Sequence, residues 1–172
     1  MYSYPAACSR IIWDSQGIYP LSGILKGRAL ERISRKEDLP MIVVSAGVVR
    51  HDGRIMLCQR KPEVHNGLKW EFPGGKLEKG ESPEAALRRE LREELNIDVE
   101  VGRVMDVMVH SYPDRDVMIL FYPCTIKKGE PETIDCNAIA WVQPDNFLNY
   151  DLAAGDRCFV ERNMRHFTPE SV

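Results

Sequence analysis

The chain has 172 residues, of which 44% are hydrophobic, and its formal net charge at pH 7 is −3. This length suits one domain with a sizeable core. The small acidic excess argues against binding to polymeric nucleic acid, which needs a basic surface. The sequence has no apolar run near the roughly eighteen residues of a membrane span and no readable secretory signal. We therefore expect neither nucleic-acid polymers nor membranes as partners.

The cysteine and histidine patterns point to no structural metal or disulfide. The five cysteines are scattered and include no C-x-x-C pair, and the four histidines lack ligand spacing. Such a pattern fits reduced thiols and neither a disulfide framework nor a zinc site. We expect a cytoplasmic protein, and the sequence leaves open whether it is a monomer or a homodimer.

Residues 1–40 differ from the rest of the chain. They are mostly irregular in pattern, with one short basic helix predicted over Ile24 to Lys36. No residue type in this segment suggests chemistry. We expect it to be an N-terminal arm, used either for packing or for contact between subunits, and we place the domain at residues 41–172.

The domain begins with strand signals. Met41 to Val49 is an apolar, β-branched run, Asp52-Gly53 is a signal for a type I′ hairpin, and Arg54 to Arg60 returns as a second strand. Lys61 to Lys69 is predicted to be a loop. Trp70 to Pro73 is predicted to be a short extended segment that leads into two glycines.

Further strands follow downstream. Val99 to Ser111, Asp116 to Ile126 and Ala138 to Val142 are each predicted to be a strand. Pro144 to Asn149 is predicted to be one helical turn, and Asp156 to His166 a C-terminal helix. Because strands alternate with two helices, the pattern predicts an α/β or α+β fold with a mixed sheet.

The other predicted helix carries unusual side chains. It runs from Pro83 to Leu95, with Ser82 as N-cap and Asn96 at the left-handed position that ends it. Its leucines at positions 87, 91 and 95 share one face, which predicts that this face packs on the core.

Three glutamates, Glu90, Glu93 and Glu94, lie in one arc beside the leucine face. Like charges at this spacing cost roughly 0.2–0.5 kcal/mol per pair. A hard divalent cation would turn this unfavourable contribution into a favourable one, because Mg²⁺ prefers carboxylate oxygen and shares its coordination shell with substrate phosphates. The alternative is a solvated helix neutralised by Glu84–Arg88 and Arg89–Glu93 pairs, and the helix alone does not decide between the two.

The whole stretch from Gly75 to Ile97 favours the metal site over the solvated helix. Its sequence, GKLEKGESPEAALRRELREELNI, resembles the Nudix box, G-x5-E-x7-R-E-U-x-E-E-x-G-U, in which U is apolar. One specified position departs, because Asn96 replaces the last glycine, and Asn also tolerates the left-handed conformation. The preceding run W-E-F-P-G-G-K resembles the MutT-like branch. The resemblance implies an α/β/α sandwich around a mixed β-sheet, over about Met41 to Arg165.

The resemblance also implies a metal site. It assigns the Gly75 carbonyl to the metal, and the metal is expected to be Mg²⁺, with Mn²⁺ as the alternative. The further implied ligands are the carboxylates of Glu90, Glu93 and Glu94. Arg89 and Glu81 are the implied supporting residues that orient those glutamates. The general base is left open among Glu94, Glu93, Glu90 and Asp135, a loop acid before the strand at Ala138.

Four residues are implied to contact substrate. Arg60 and Lys76 match positions that contact phosphates in MutT-like proteins, and the alternative for both is a plain surface charge. Phe72 is a candidate wall for a nucleobase, against a place in the core. Asp156 lies in a segment that resembles the CTP pyrophosphohydrolase branch and is a candidate reader of the base edge. The alternative for Asp156 is a plain N-cap of the last helix.

The function implied is Mg²⁺-dependent hydrolysis of a nucleoside triphosphate to the monophosphate and pyrophosphate. The implied role is sanitising the nucleotide pool, with 8-oxo-dGTP or CTP/dCTP as the type of substrate. Two alternatives stay open. One is a Nudix hydrolase of another nucleoside diphosphate-linked substrate, and the other is a catalytically silent Nudix-fold ligand sensor.

Overall fold

The computed structural model of the protein describes residues 40–167. Nearly all of the predicted N-terminal arm, including its predicted helix, lies outside this range. Within it the chain forms eight strands, two α-helices and one 3-10 helix. The strands are β1 (Met41–His51), β2 (Arg54–Gln59), β3 (Trp70–Glu71), β4 (Gly74–Lys76), β5 (Asp98–Val101), β6 (Asp106–Ser111), β7 (Asp116–Lys128) and β8 (Ala138–Val142). The helices are α1 (Pro83–Leu95), the 3-10 helix (Pro144–Asn149) and α2 (Ala154–Phe167).

The sheet is mixed, as the sequence predicts, and β1 lies near its centre. β1 pairs in parallel with β7, from Met41 opposite Asp116 to Arg50 opposite Thr125. It pairs antiparallel with β2 and with β4. The hairpin between β1 and β2 turns at Asp52 and Gly53, whose φ angles of 47° and 72° are both positive, as a type I′ turn requires.

The sheet packs a helix against each face. Along β1, Ala46 and Val48 belong to the core that contains Phe159 of α2. Val49 belongs to a second core, formed with the α1 leucines, including Leu91. Because successive strand residues point to opposite faces, the two cores lie on opposite sides of the sheet. The predicted α/β/α sandwich is confirmed. Neither helix in the described range has the length and apolar character needed to span a membrane.

Two predicted boundaries are wrong. The single strand predicted over Val99 to Ser111 is two strands, β5 and β6, which both pair with the long strand β7. The chain leaves β5 at Gly102, where an added Cβ would lie 2.8 Å from the Pro123 ring, and bends at Arg103. The C-terminal helix begins at Ala154, two residues earlier than predicted.

Candidate active site

Local capping fixes where α1 begins and ends. The Ser82 hydroxyl accepts a hydrogen bond from the Ala85 N–H at 3.2 Å, and Asn96 is left-handed with φ 56° and ψ 33°. Both predicted caps are confirmed. Leu87 and Leu91 are buried against the sheet, and Glu90, the residue before Leu91, lies against Gly75.

The carboxylate of Glu90 lies directly over the backbone of Gly75. Strand β4 pairs with β1 so that Gly75 is opposite Ser45. A Cβ added at Gly75 would lie 2.3 Å from Cδ of Glu90. Only glycine leaves room for this approach, and the structure therefore brings a backbone segment and a carboxylate together where the sequence predicts the metal.

Arg89 joins the glutamates of this region. Its Nη1 donates to Glu90 Oε1 at 2.9 Å and to Glu93 Oε2 at 3.2 Å. Its Nε and Nη2 donate to the two carboxylate oxygens of Glu81 at 3.1 and 3.0 Å, and Nη2 also donates to the Lys76 carbonyl at 3.1 Å. The Glu81 carboxylate is the main cause of the raised pKa of Arg89. The guanidinium therefore holds two predicted ligands and the loop backbone in one network.

Glu94 lies in an environment of excess negative charge. Burial, followed by the neighbouring charges of Glu90, Glu71 and Asp135, raises the pKa of Glu94 to about 8. The backbone N–H of Asp135 donates to the Glu94 carbonyl at 3.3 Å. The side chain of Asp135 is 62% exposed and forms an ion pair with Lys61. The loop acid and the helix glutamate thus lie in one region.

The residues present fit a divalent cation, although their carboxylates have not converged. Among residues 40–167 no three His, Cys, Asp or Glu side chains are close enough to share a metal ion, and Arg89 pairs with Glu90 and Glu93 instead. The fit rests on hard oxygen donors around the Gly75 backbone and on a buried, unpartnered hydroxyl, that of Ser45, at the same level. Such donors suit Mg²⁺.

Arg60 and Lys76 differ in how they are held. Arg60 Nη1 donates to both carboxylate oxygens of Glu71 at 2.8 Å, and its Nε donates to the His65 carbonyl at 2.8 Å. Burial raises the pKa of Glu71, while Arg60 opposes that rise. Lys76 has an exposed side chain directly after the glycines. Arg60 is therefore fixed in a pair, and Lys76 is accessible to solvent.

Asp156 is a buried carboxyl group, 6% exposed, in the first turn of α2. It accepts a hydrogen bond from the Phe72 N–H at 3.0 Å. Burial raises the pKa of Asp156 to about 8, with the Glu71 charge as the next cause. The alternative of a plain N-cap is wrong, because the first turn closes from the Arg157 N–H to the Ala153 carbonyl and Asp156 lies inside it.

Phe72 is a core residue and offers no face to a base. Its ring is 3% exposed and meets three phenylalanine rings edge-on, at centroid distances of 5.4 to 5.8 Å. The expectation of a base-stacking wall at Phe72 is therefore wrong. The physical reason is that the segment turns this side chain under α2. The neighbouring rings are Phe121, Phe147 and Phe159.

Tyr112 is an aromatic side chain near Asp156 that the sequence pattern does not mark as a site residue. Tyr112 contacts His110 and His65 at ring-centroid distances of 4.6 and 5.4 Å, and Asn66 Nδ2 donates to its hydroxyl at 3.4 Å. Burial raises the pKa of Tyr112, and the charge of Asp156 adds to that rise. Tyr112 had only a turn signal in the sequence, since Pro113 follows it, and nothing local marked it as a site residue.

A glutamate-bearing helix packed beside a glycine loop, on an α/β/α frame, defines a hydrolase of the Nudix class. The chain matches the NUDIX domain over residues 40–162 and belongs to that family. It is 42% identical over 95 residues to the 8-oxo-dGTP diphosphatase of Proteus vulgaris, covering 54% of this chain and 84% of that protein. It is 34% identical over 126 residues to the CTP pyrophosphohydrolase of Escherichia coli (strain K12), covering 73% of this chain and 93% of that protein.

Solved structures agree with the fold. The solution structure of the E. coli ORF135 protein has a TM-score of 0.65 at 32% identity and covers 77% of this chain and 96% of its own. The crystal structure of a MutT protein from Methanosarcina mazei Go1 has a TM-score of 0.69 at 24% identity. The match covers 77% of this chain and 99% of that protein. The second likeness supports the fold alone.

Proposed function

We propose that the protein hydrolyses a nucleoside triphosphate, either standard or chemically modified, to the monophosphate and pyrophosphate. The proposal is supported by the Glu90 carboxylate over the Gly75 backbone and by Glu94 on the same helix, whose pKa is raised to about 8. The names of two relatives, an 8-oxo-dGTP diphosphatase and a CTP pyrophosphohydrolase, indicate the substrate class. The proposed role is sanitising the nucleotide pool in the cytoplasm, by a monomer or a homodimer.

The Gly75 carbonyl and the carboxylates of Glu90, Glu93 and Glu94 are the proposed ligands of Mg²⁺, with Mn²⁺ as the alternative. When bound, such a cation neutralises phosphate charge and lowers the pKa of a bound water. Arg89 donates hydrogen bonds to both Glu90 and Glu93 and so limits their freedom. This restraint favours a single arrangement of ligands.

Glu94 is the proposed general base, with Asp135 as the alternative. A carboxyl group with a pKa of about 8 has a high affinity for a proton. Positive charge nearby lowers that affinity, so Glu94 is ionised in the loaded site and takes the proton of the attacking water. Asp135 is the second choice because it is exposed and paired with Lys61.

The phosphates and the base have separate proposed contacts. Lys76 and Arg60 are the proposed cations for phosphate oxygens, Lys76 as an exposed charge and Arg60 as one paired with Glu71. Asp156 is the proposed reader of the base edge. With a pKa of about 8 it is largely protonated at neutral pH, and a protonated carboxyl both donates and accepts hydrogen bonds. Tyr112 is the proposed aromatic contact in place of Phe72.

A substrate screen tests the proposal. Purified protein is incubated with Mg²⁺ and a panel of standard, oxidised and methylated nucleoside triphosphates, with nucleotide sugars and dinucleotides as comparison. We expect pyrophosphate and monophosphate as products, and cleavage in ¹⁸O-labelled water identifies the phosphorus attacked. The matched variants are Glu94→Gln, which we expect to be inactive, and Glu84→Gln on the same helix, which we expect to be active. Release of inorganic phosphate alone, or preference for nucleotide sugars, contradicts the proposal.

A further inference from the structure

Among the residues that the structure describes, one hydroxyl is buried without a partner. Ser45 on β1 is 0% exposed, and within residues 40–167 its Oγ forms no hydrogen bond. A buried hydroxyl without a partner is unfavourable, and most buried polar side-chain atoms have one. The position of Ser45 indicates which group its hydroxyl can reach with a hydrogen bond.

The side chain of Ser45 lies on the face of the sheet that α1 covers. A Cβ added at Gly47, two residues along the same strand, would lie 3.4 Å from a methyl carbon of Leu91 and 3.5 Å from one of Leu87. Because side chains two residues apart on a strand share a face, Ser45 points to the same side.

Ser45 also lies beside the candidate metal site, on the strand paired with that of Gly75. It is directly opposite Gly75 in the antiparallel pair of β1 and β4, and opposite residues have Cβ atoms about 4.5–5.5 Å apart on one face. The Cβ position of Gly75 lies 2.4 and 2.6 Å from the two carboxylate oxygens of Glu90. The Ser45 hydroxyl and the Glu90 carboxylate therefore adjoin the same point on the sheet.

We propose that Ser45 is a positioning residue for the metal site. With the cation bound, its hydroxyl donates a hydrogen bond to Glu90 Oε2, while Arg89 continues to hold Glu90 Oε1. The proposal rests on the metal ligands proposed above. Because the Ser45 hydroxyl is buried and has no hydrogen-bond partner within residues 40–167, a hydrogen bond to Glu90 satisfies an unfavourable buried group and favours the arrangement that binds the cation.

The test replaces Ser45 with Ala and measures metal binding directly. Mn²⁺ and Mg²⁺ affinities are obtained by titration calorimetry without nucleotide, and melting temperatures are measured in EDTA. We expect about a tenfold loss of metal affinity, the size seen when a residue supporting a metal ligand is removed. The melting temperature in EDTA should stay the same or rise, because the variant loses an unpartnered buried hydroxyl.

Val49→Ala is the matched control, since Val49 lies on the same strand and in the core on the same face. It should lower the melting temperature and leave the metal affinity unchanged. Ser45→Ala with an affinity within twofold of wild type overturns the role of Ser45. An equal loss of affinity in Val49→Ala also overturns it, because loosening of β1 then explains the effect. Wild-type protein that binds no metal overturns the proposed ligand set, and this proposal with it, whereas the first two outcomes leave that set in place.

Discussion

Replacing Glu94 with Gln removes one charge from the site and keeps the size of the side chain. Without metal, the folded protein disfavours the ionised form of Glu94, because burial and the charges of Glu90 and Glu71 raise its pKa from 4.5 to about 8. Between these two values the folded state binds a proton that the unfolded state has lost. The free energy of unfolding therefore falls as pH rises from about 4.5 to about 8. Below 4.5 the group is neutral in both states and contributes no pH dependence.

The magnitude follows from the same pKa values. A tenfold change in proton affinity corresponds to about 1.4 kcal/mol, so the rise from 4.5 to about 8 sets an upper limit of about 5 kcal/mol. Glu94 is half-buried, and water near the site weakens the repulsion. We therefore expect Glu94→Gln to be more stable than wild type by about 2 kcal/mol at pH 8 and equal to it at pH 4.5. Its turnover with Mg²⁺ should fall about 10²- to 10⁴-fold, the usual contribution of a general base.

Urea unfolding in EDTA at pH 4.5, 6.5 and 8 measures the stability, and steady-state kinetics at saturating Mg²⁺ measures turnover. Burial also raises the pKa of Asp156, which gives wild type and variant the same additional slope, so the difference between the two curves isolates Glu94. Glu84→Gln is the control for loss of a charge on this helix. Parallel pH curves for wild type and Glu94→Gln refute the reasoning. A variant less stable than wild type at pH 8 shows that Glu94 has a structural role.

Three further changes test other parts of the molecule. Arg89→Lys keeps the charge but removes the planar guanidinium that holds Glu81 and the helix glutamates. Metal affinity, measured by calorimetry, should fall about tenfold. An affinity equal to that of wild type would show that the guanidinium is not needed for metal binding. A shortened chain beginning at Asp38 should remain soluble and active, because residues 40–167 form both cores; aggregation or loss of turnover contradicts this. Asp156→Asn should keep the hydrogen bond from the Phe72 N–H, which the amide oxygen can accept. It should change the order in which the enzyme prefers nucleotides, measured as kcat/KM. An unchanged order would show that Asp156 does not recognise the base.

The features that the sequence predicts well are those decided by neighbouring residues. Ser82 and Asn96 cap α1 through contacts within one turn, and Asp52-Gly53 makes its hairpin through its own φ angles. The spacing of Gly75 and the helix glutamates likewise lies within one short stretch. Local chemistry is sufficient there, because the partners are few residues apart.

The features that the sequence does not predict depend on residues far apart in the chain. Phe72 is buried because α2, more than eighty residues later, covers it. The break between β5 and β6 depends on the long strand β7, which pairs with both. Ser45 carries no signal in a β-branched run, and only its pairing with Gly75 places it at the site. Long-range pairing of this kind has no local pattern to detect.

The burial of Phe72 has a consequence for the proposed site. The segment that contains it is fixed at one end by Trp70, whose N–H donates to the Asp151 carbonyl at 2.9 Å and whose carbonyl accepts from the Ala153 N–H at 2.8 Å. In the middle, Asp156 holds the Phe72 N–H. At the other end the chain enters β4 at Gly74–Lys76. We expect a buried anchor of this kind to limit movement of Asp156, the proposed base contact, relative to Gly75, the proposed metal ligand. Phe72 therefore acts on the site through the rigidity of the segment, without touching a base.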